Sequence, residues 1–196
     1  MHPKEGLTKG KQAIKIDQPR RTKDTEEHEP PLPWEPPDTG WVKLNVDGSF
    51  VEHTGEAGAG MILRDETNQV IFSACRQLLH CSGALESELA AAREGLLLAL
   101  QWSSKPIILE MDSSQALSAI VNTGTCRSSL AYLVSEVKAL IADGREIIVG
   151  KVNRSQNKAS HSLAAFGRCN ALTMCWLGSV PDDIRDVILE DLPVSY

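Results

Sequence analysis

The segment Trp41–Phe50 is the part of the chain that most restricts how it can fold. From Val42 to Asp47 apolar and polar residues alternate, which is the period of a half-buried strand. Gly48 permits a turn after the strand, so the pattern predicts an acidic residue, Asp47, at the carboxyl end of the strand and on its polar face. A turn is the plain interpretation of a single Asp-Gly pair. A functional interpretation requires other side chains that meet Asp47 in space.

The rest of the chain predicts a mixed α/β domain. Short apolar runs joined by polar turns follow the first strand, and they favour an antiparallel meander of three strands. Two later strands each follow a helix, so we expect them to be parallel to a neighbour through crossover connections. The predicted strands are near Val42–Asp47, Met61–Leu63, Val70–Ala74, Pro106–Asp112 and Glu146–Val152, and the predicted helices are near Gly83–Trp102, Gln115–Asn122 and Ser129–Ala142, after Ser155, and from Pro181. The predicted class is α/β, with a five-stranded mixed sheet (strands one to three antiparallel, four and five parallel) flanked by helices.

Two more acidic residues occupy positions from which they can meet Asp47. The long central helix has one apolar stripe, and the helical rotation puts Glu88 at the edge of that stripe. Glu86 and Glu94 lie outside the stripe and are predicted to be solvated. Asp112 closes the fourth strand in the same way that Asp47 closes the first.

Residues 1–37 differ from the rest of the chain in composition. They are rich in Lys, Glu, Thr and Pro, so they cannot bury enough apolar surface to offset the entropy lost on ordering. We predict a disordered tail and Pro-rich linker over residues 1–40 and a folded domain over residues 41–192. Residues 1–37 carry seven basic and seven acidic side chains, so the net charge of −6 belongs to the remainder. An acidic domain argues against tight binding to nucleic acid through a broad basic face.

Hydropathy and cysteine usage indicate the compartment only coarsely. No run approaches the roughly 18 apolar residues that a membrane span needs, and the N-terminus has no apolar segment of the signal-peptide type. The five cysteines lack zinc-site spacing, which favours free thiols inside the cell. We expect an intracellular protein, in the nucleus or the cytoplasm, that is monomeric and has no membrane partner.

Four segments resemble the RNase H fold, and they occur in the order of that family: Asp47-Gly48-Ser49, Glu88–Gly95, Leu109–Ser113 and Asn157–Ala164. The chain resembles more closely still the RNase H-like domain of plant retrotransposon-type proteins. This second likeness rests on the segments Gly60–Asp65, Glu94–Leu96 and Trp176–Ile184. The resemblance extends over residues 41–192.

The resemblance implies a metal-dependent endonuclease that cleaves the RNA strand of RNA–DNA hybrids. Enzymes of this family hydrolyse phosphodiesters with two divalent ions, Mg²⁺ or Mn²⁺, held by carboxylate oxygens. Carried over by position, Asp47 would bridge both ions, and Glu88 and Asp112 would hold the ion on the leaving-group side. His161, at the fourth position, would hold the other ion together with Asp47.

His161 is the point at which the chain departs from the common family pattern, which has Asp there. The related plant domains often have His as well. An imidazole removes one negative charge from the cluster, and it suits Mn²⁺ or Zn²⁺ better than Mg²⁺. A surface histidine on a helix is the alternative interpretation.

Nucleic-acid contacts are predicted at few positions. The strongly basic helical segment with which some family members grip the hybrid is reduced here to Arg127, Lys138 and Arg145. The predicted contacts with RNA–DNA hybrid or other nucleic acid are Ser49, Lys151, Arg154, Asn157 and Lys158, with loose surface charges as the alternative for the basic ones. A second functional hypothesis is therefore a catalytically weak or inactive domesticated domain that binds nucleic acid or protein.

Overall fold

The computed structural model describes residues 15–17, 32–122 and 129–190. The strands are β1 (Lys15–Asp17), β2 (Val42–Phe50), β3 (Ala57–Asp65), β4 (Val70–Leu78), β5 (Ile107–Met111), β6 (Ile147–Lys151) and β7 (Met174–Leu177). The helices are α1 (Ala84–Trp102), α2 (Ser114–Val121), α3 (Ala131–Ile141), α4 (Lys158–Cys169) and α5 (Asp182–Glu190), with a 3₁₀ turn at Arg154–Gln156. None of the helices in these described ranges has the length and apolar character that a membrane crossing requires.

The strands form one mixed sheet in the order β1-β6-β5-β2-β3-β4-β7. Strands β2, β3 and β4 are an antiparallel meander, and β5 and β6 run parallel to β2, so the predicted strand directions are confirmed. Two short strands were not predicted, and both extend the sheet at its edges. β1 pairs with β6, and β7 pairs with β4. Segments of three or four residues are too short to show a strand period.

One face of the sheet is covered by α1, α2 and α3. The apolar stripe of α1 packs over β2 and β3, and the larger hydrophobic core lies between them. Leu44 and Val46 on β2 and Leu89 and Leu96 on α1 are fully buried. Each such side chain contributes about 1.5–3 kcal/mol by leaving water.

The other face is covered by α4 and α5. Ile62 of β3 forms a second, smaller cluster there with Ala159, Leu163 and Ile184. Because side chains alternate along a strand, Val46 faces the first core while Asp47 faces α4. This confirms the predicted polar face of the first strand.

The segment that precedes β2 packs against the sheet. Trp34 is 3% exposed, and its indole N–H donates to Asn45 Oδ1 at 2.8 Å. The guanidinium of Arg64 lies 3.6 Å from the centre of the Trp34 ring, in a cation–π contact. The disordered tail predicted for residues 1–40 thus differs from the structure at two places, β1 and Trp34. The rest of the tail up to residue 31 lies outside the described residues, and the domain boundary at residue 40 stays a prediction.

Candidate metal centre

Asp47 and Asp112 meet because each lies just beyond the parallel pairing of β2 with β5. The prediction that the first strand ends at Asp47 with a turn after it is wrong, because β2 continues through Gly48 to Phe50 in its antiparallel pairing with β3. β2 and β5 pair from Val42–Ile107 to Asn45–Glu110, and Asp112 follows directly after β5. The carboxyl ends of parallel strands lie at the same edge of a sheet, where α/β folds place their ligand sites. Asp47 is buried, and Asp112 is half-buried.

Glu88 reaches the same edge because α1 passes very close to β2. A Cβ atom on Gly48 would lie 2.4 Å from both the backbone nitrogen of Glu88 and the carbonyl carbon of Ser87. The backbone N–H of Gly48 donates to Glu88 Oε2 at 3.2 Å. The first turn of α1 therefore packs directly against Gly48, and this places Glu88 beside Asp47.

The three carboxylates form a cluster that suits a divalent cation. One oxygen each from Asp47, Glu88 and Asp112 can be chosen so that all three lie within 4.8 Å of one another. Burial, and then the negative charges of Asp47 and Asp112, raise the pKa of Glu88 to about 8. Burial and then Asp47 also raise the pKa of Asp112. Like charges held this close favour a bound cation, and hard divalent ions prefer such oxygen ligands.

His161 joins the cluster through Asp47. α4 lies directly on β3 at Gly60, where a Cβ would be 2.1 Å from the carbonyl oxygen of Ser160. Gly60 pairs with Asp47 across the β2–β3 ladder, so this close contact brings α4 to Asp47. His161 Nδ1 lies 2.8 Å from Asp47 Oδ2, and this hydrogen bond raises the pKa of His161. The imidazole therefore lies beside Asp47, and its role as a metal ligand stays a prediction.

These residues line a cleft of about 400 Å³. The lining includes the three carboxylates, His161 and residues 151–154. Lys151 is exposed and donates to Ser114 Oγ at 2.6 Å. The charge of Arg154 lowers the pKa of Glu88 and of Asp112, although more weakly than burial raises them. The cleft is therefore lined by both acidic and basic side chains.

Three of the residues predicted to contact nucleic acid, Ser49, Asn157 and Lys158, have protein partners and do not line the cleft. Asn157 has no exposed surface, and its amide donates to the backbone oxygen of Val46 at 3.0 Å, so its predicted nucleic-acid contact is not available in this structure. Ser49 Oγ accepts from Arg168 Nε at 2.9 Å. Lys158 is exposed, but it pairs with Glu190 at 3.2 Å and does not line the cleft.

Sequence patterns did not identify every residue that shapes the cleft. Ser113 and Asn153 line it, and neither was predicted. Gly48 sets how closely α1 approaches β2, and Gly60 sets how closely α4 approaches β3. Gly60 had a detectable signal, since a glycine inside a strand often marks a close backbone approach. Ser113 and Asn153 had no such signal, because they lie at the cleft only as a result of how distant elements pack together, which no local sequence pattern shows.

The family model described as reverse transcriptase-like matches residues 45–167 of the chain. An Arabidopsis thaliana protein whose name assigns it to ribonuclease H is 29% identical over 159 residues, or 81% of this chain. The chain spans 25% of the length of that relative.

Solved structures of RNase H domains share the fold. The N-terminal RNase H domain of a Mycobacterium tuberculosis protein superposes with a TM-score of 0.61 at 20% identity, over 68% of this chain and 96% of its own. RNase H1 from Halobacterium salinarum gives a TM-score of 0.61 at 17% identity, over 68% and 100% of the two chains. A compost-derived RNase H1 solved in complex with an RNA/DNA hybrid gives 0.58 at 15% identity, over 66% and 98%.

Proposed function

Because the chain belongs to the reverse transcriptase-like family and has an RNase H-like fold, we propose that it is a divalent-metal-dependent endonuclease that cleaves the RNA strand of RNA–DNA hybrids. The observation that carries the proposal is the convergence of Asp47, Glu88 and Asp112 from three separate elements, with ligand oxygens within 4.8 Å. The ribonuclease H name of the Arabidopsis relative supports the same reaction class.

Four side chains would hold the metal. Asp47 is the most buried of them, and it contacts both the carboxylate side of the cluster and His161. Asp47 would therefore hold metal together with Glu88 and Asp112 on one side and with His161 on the other. Bound Mg²⁺ or Mn²⁺ would lower the pKa of a water and offset the charge that develops on the phosphodiester oxygens.

The basic residues of the cleft would orient the substrate. Lys151 and Arg154 are both exposed, and they line the same cleft as the carboxylates. Contacts of this kind go to phosphate oxygens and carry no base sequence. Selection of a hybrid would come from the backbone shape and the 2′-hydroxyls of the RNA strand.

The test is cleavage of an end-labelled RNA–DNA hybrid, with double-stranded DNA and double-stranded RNA of the same sequence as competitors. We expect RNA-strand products from the hybrid with Mn²⁺ or Mg²⁺. Asp47→Asn and Asp112→Asn should each lose at least about a hundredfold in rate, since even residues that only support metal ligands typically cost 10–100-fold. Asp65→Asn removes an acidic group outside the cleft and serves as the matched control. Equal rates for the wild type and Asp47→Asn would reject the proposal.

A second candidate function is a binding module with little or no catalysis. It is favoured by the segment between β5 and β6, where Arg145 donates to the carbonyl oxygens of Ser103 and Leu100, and Lys138 donates to that of Asn122. These two cations are engaged with the protein itself, and the third, Arg127, lies outside the described residues. Each missing phosphate contact weakens nucleic-acid binding. Hybrid binding without cleavage in the assay above would support this second function.

A further inference from the structure

Asn157 is a buried polar residue beside the candidate metal centre. It precedes α4, and its side chain has no exposed surface. Its Nδ2 donates to the backbone oxygen of Val46 at 3.0 Å. Val46 is the residue directly before Asp47, so the amide ties the backbone at Asp47 to the start of α4.

The orientation of this amide is set by Ser160. Ser160 Oγ lies 2.7 Å from Asn157 Oδ1 and 3.0 Å from the backbone oxygen of Asn157, and Ser160 is itself fully buried. A hydroxyl that donates to Oδ1 leaves Nδ2 as the end of the amide that faces Val46. Both polar ends of the Asn157 side chain are therefore used within the protein.

The same residue is connected to His161. The backbone N–H of His161 donates to the backbone oxygen of Asn157 at 3.1 Å, in the first turn of α4. A continuous series of hydrogen bonds thus runs from Val46 through Asn157 to His161. The contact of α4 with Gly60 sets how deeply the helix sits, and the Asn157 amide sets where along β2 its first turn begins.

From these contacts we infer that Asn157 is a positioning residue, which holds His161 against Asp47 and so sets the affinity of the His161 side of the cluster for a divalent cation. The inference rests on the proposed function insofar as the cluster binds metal. It gives Asn157 a role different from the nucleic-acid contact predicted for it, because its amide is directed at β2 and not into the cleft.

The test is a double-mutant cycle in Mn²⁺ affinity, measured by calorimetric titration of the purified protein. Asn157→Ala should weaken Mn²⁺ binding about tenfold, the lower end of what is typical for residues that orient metal ligands. In a His161→Ala background the same change should alter the affinity less than about twofold, since there is no imidazole left to position. An equal loss in both backgrounds would mean a general structural role, and no loss in either would mean no role; both results overturn the inference.

Two further variants keep the test interpretable. Asn45→Ala is the matched control, because Asn45 is also fully buried but lies in β2. Its side chain forms hydrogen bonds with Trp34 and Glu110 and not with α4, so Asn45→Ala should leave Mn²⁺ affinity unchanged. Ser160→Ala is the milder substitution if Asn157→Ala does not fold. Ser160→Ala removes the hydrogen bond to Asn157 Oδ1 but keeps the Asn157 amide. It should therefore weaken Mn²⁺ binding by a smaller factor than Asn157→Ala does. A Ser160→Ala protein with unchanged affinity would then overturn the inference.

Failure of the proposed function can be distinguished from failure of the positioning role. If the wild type binds no Mn²⁺, the metal centre is rejected, and the positioning role is read from the metal-free protein by NMR of the His161 ring N–H. Loss of the hydrogen-bonded ring signal in Asn157→Ala, with the signal kept in Asn45→Ala, would support the positioning role. A signal that persists in Asn157→Ala would overturn it.

Discussion

The backbone N–H of Gly48 donates to Glu88 Oε2 at 3.2 Å, so the residue after Asp47 also holds the second carboxylate of the cluster. The bond forms only because α1 passes against β2 without a side chain between them. A Cβ at position 48 would lie 2.4 Å from backbone atoms of Ser87 and Glu88. Gly48 is thus required for the spacing between Asp47 and Glu88, and not for a turn, because β2 continues through it to Phe50.

We therefore expect Gly48→Ala to be destabilising and to lower metal affinity. The methyl group would push the first turn of α1 away from β2, and overpacking of this kind costs about 1–3 kcal/mol. Urea unfolding and Mn²⁺ titration would measure the two effects. Gly83→Ala is the matched control at the start of the same helix, because a Cβ there meets nothing within 4 Å. Wild-type stability and Mn²⁺ affinity in Gly48→Ala would contradict the close approach of α1.

The identity of the metal should depend on residue 161. His161 contacts Asp47 at 2.8 Å, and an imidazole favours Mn²⁺ over Mg²⁺ relative to a carboxylate. We expect hybrid cleavage to be faster with Mn²⁺ than with Mg²⁺, and His161→Asp to narrow that difference by about threefold or more. Initial rates with each ion at saturation would measure it. His53→Asp makes the same charge change at an exposed residue after β2 and should leave the preference unchanged. An unaltered preference in His161→Asp would show that His161 is not a ligand.

The fold and the carboxylates could be predicted because both depend on local periodicity. Alternation placed Asp47 on the polar face of β2, and the helical period placed Glu88 at the edge of the buried stripe of α1. Parallel pairing then brought Asp112 to the same edge of the sheet. Each of these steps needs only the residues of one element, together with the rule that carboxyl ends of parallel strands meet.

The residues that could not be predicted are those whose partners lie on distant elements. Glu94 was expected to be solvated, but it is half-buried and pairs with Arg93 and with Arg76 of β4. Ser49 Oγ accepts a hydrogen bond from Arg168, which lies 119 positions away along the chain. Local sequence patterns do not show which distant side chains will come into contact. The burial and the hydrogen-bond partners of Glu94 and Ser49 therefore follow only from the tertiary structure.

The segment before β2 should contribute to stability as part of the domain. Trp34 is 3% exposed, donates to Asn45 and lies under the guanidinium of Arg64. Trp34→Ala should therefore cost about 3–5 kcal/mol, as large-to-small changes in a core do. Trp102→Ala, at a tryptophan that is 44% exposed, should cost about 1 kcal/mol or less. Chemical unfolding of both variants would measure this, and equal losses would contradict the burial of Trp34.

The metal-free protein should become less stable as the pH rises from about 4.5 to about 8. Glu88 has a pKa of about 8 in the folded state against an ordinary value of 4.5, so between these values the folded protein keeps a proton that the unfolded chain releases. The free energy of unfolding then falls with pH, by at most about 1.4 kcal/mol per pH unit for one proton. The raised pKa of His161 acts in the same direction, because its contribution is complete below 6.5 and is lost as the pH passes its folded-state pKa.

Urea midpoints in EDTA across this range would measure the slope. Glu88→Gln should flatten it, since the amide has no proton to release at these pH values. Glu86→Gln, two residues earlier on α1, removes a carboxylate that accepts from Ser82 outside the cluster and should leave the slope unchanged. Saturating Mn²⁺ should also remove the decline in wild-type stability with pH. The bound cation offsets the negative charge of ionised Glu88, which burial and Asp47 otherwise make unfavourable. A stability that rises with pH in the metal-free wild type would contradict the crowding of Glu88 with Asp47 and Asp112.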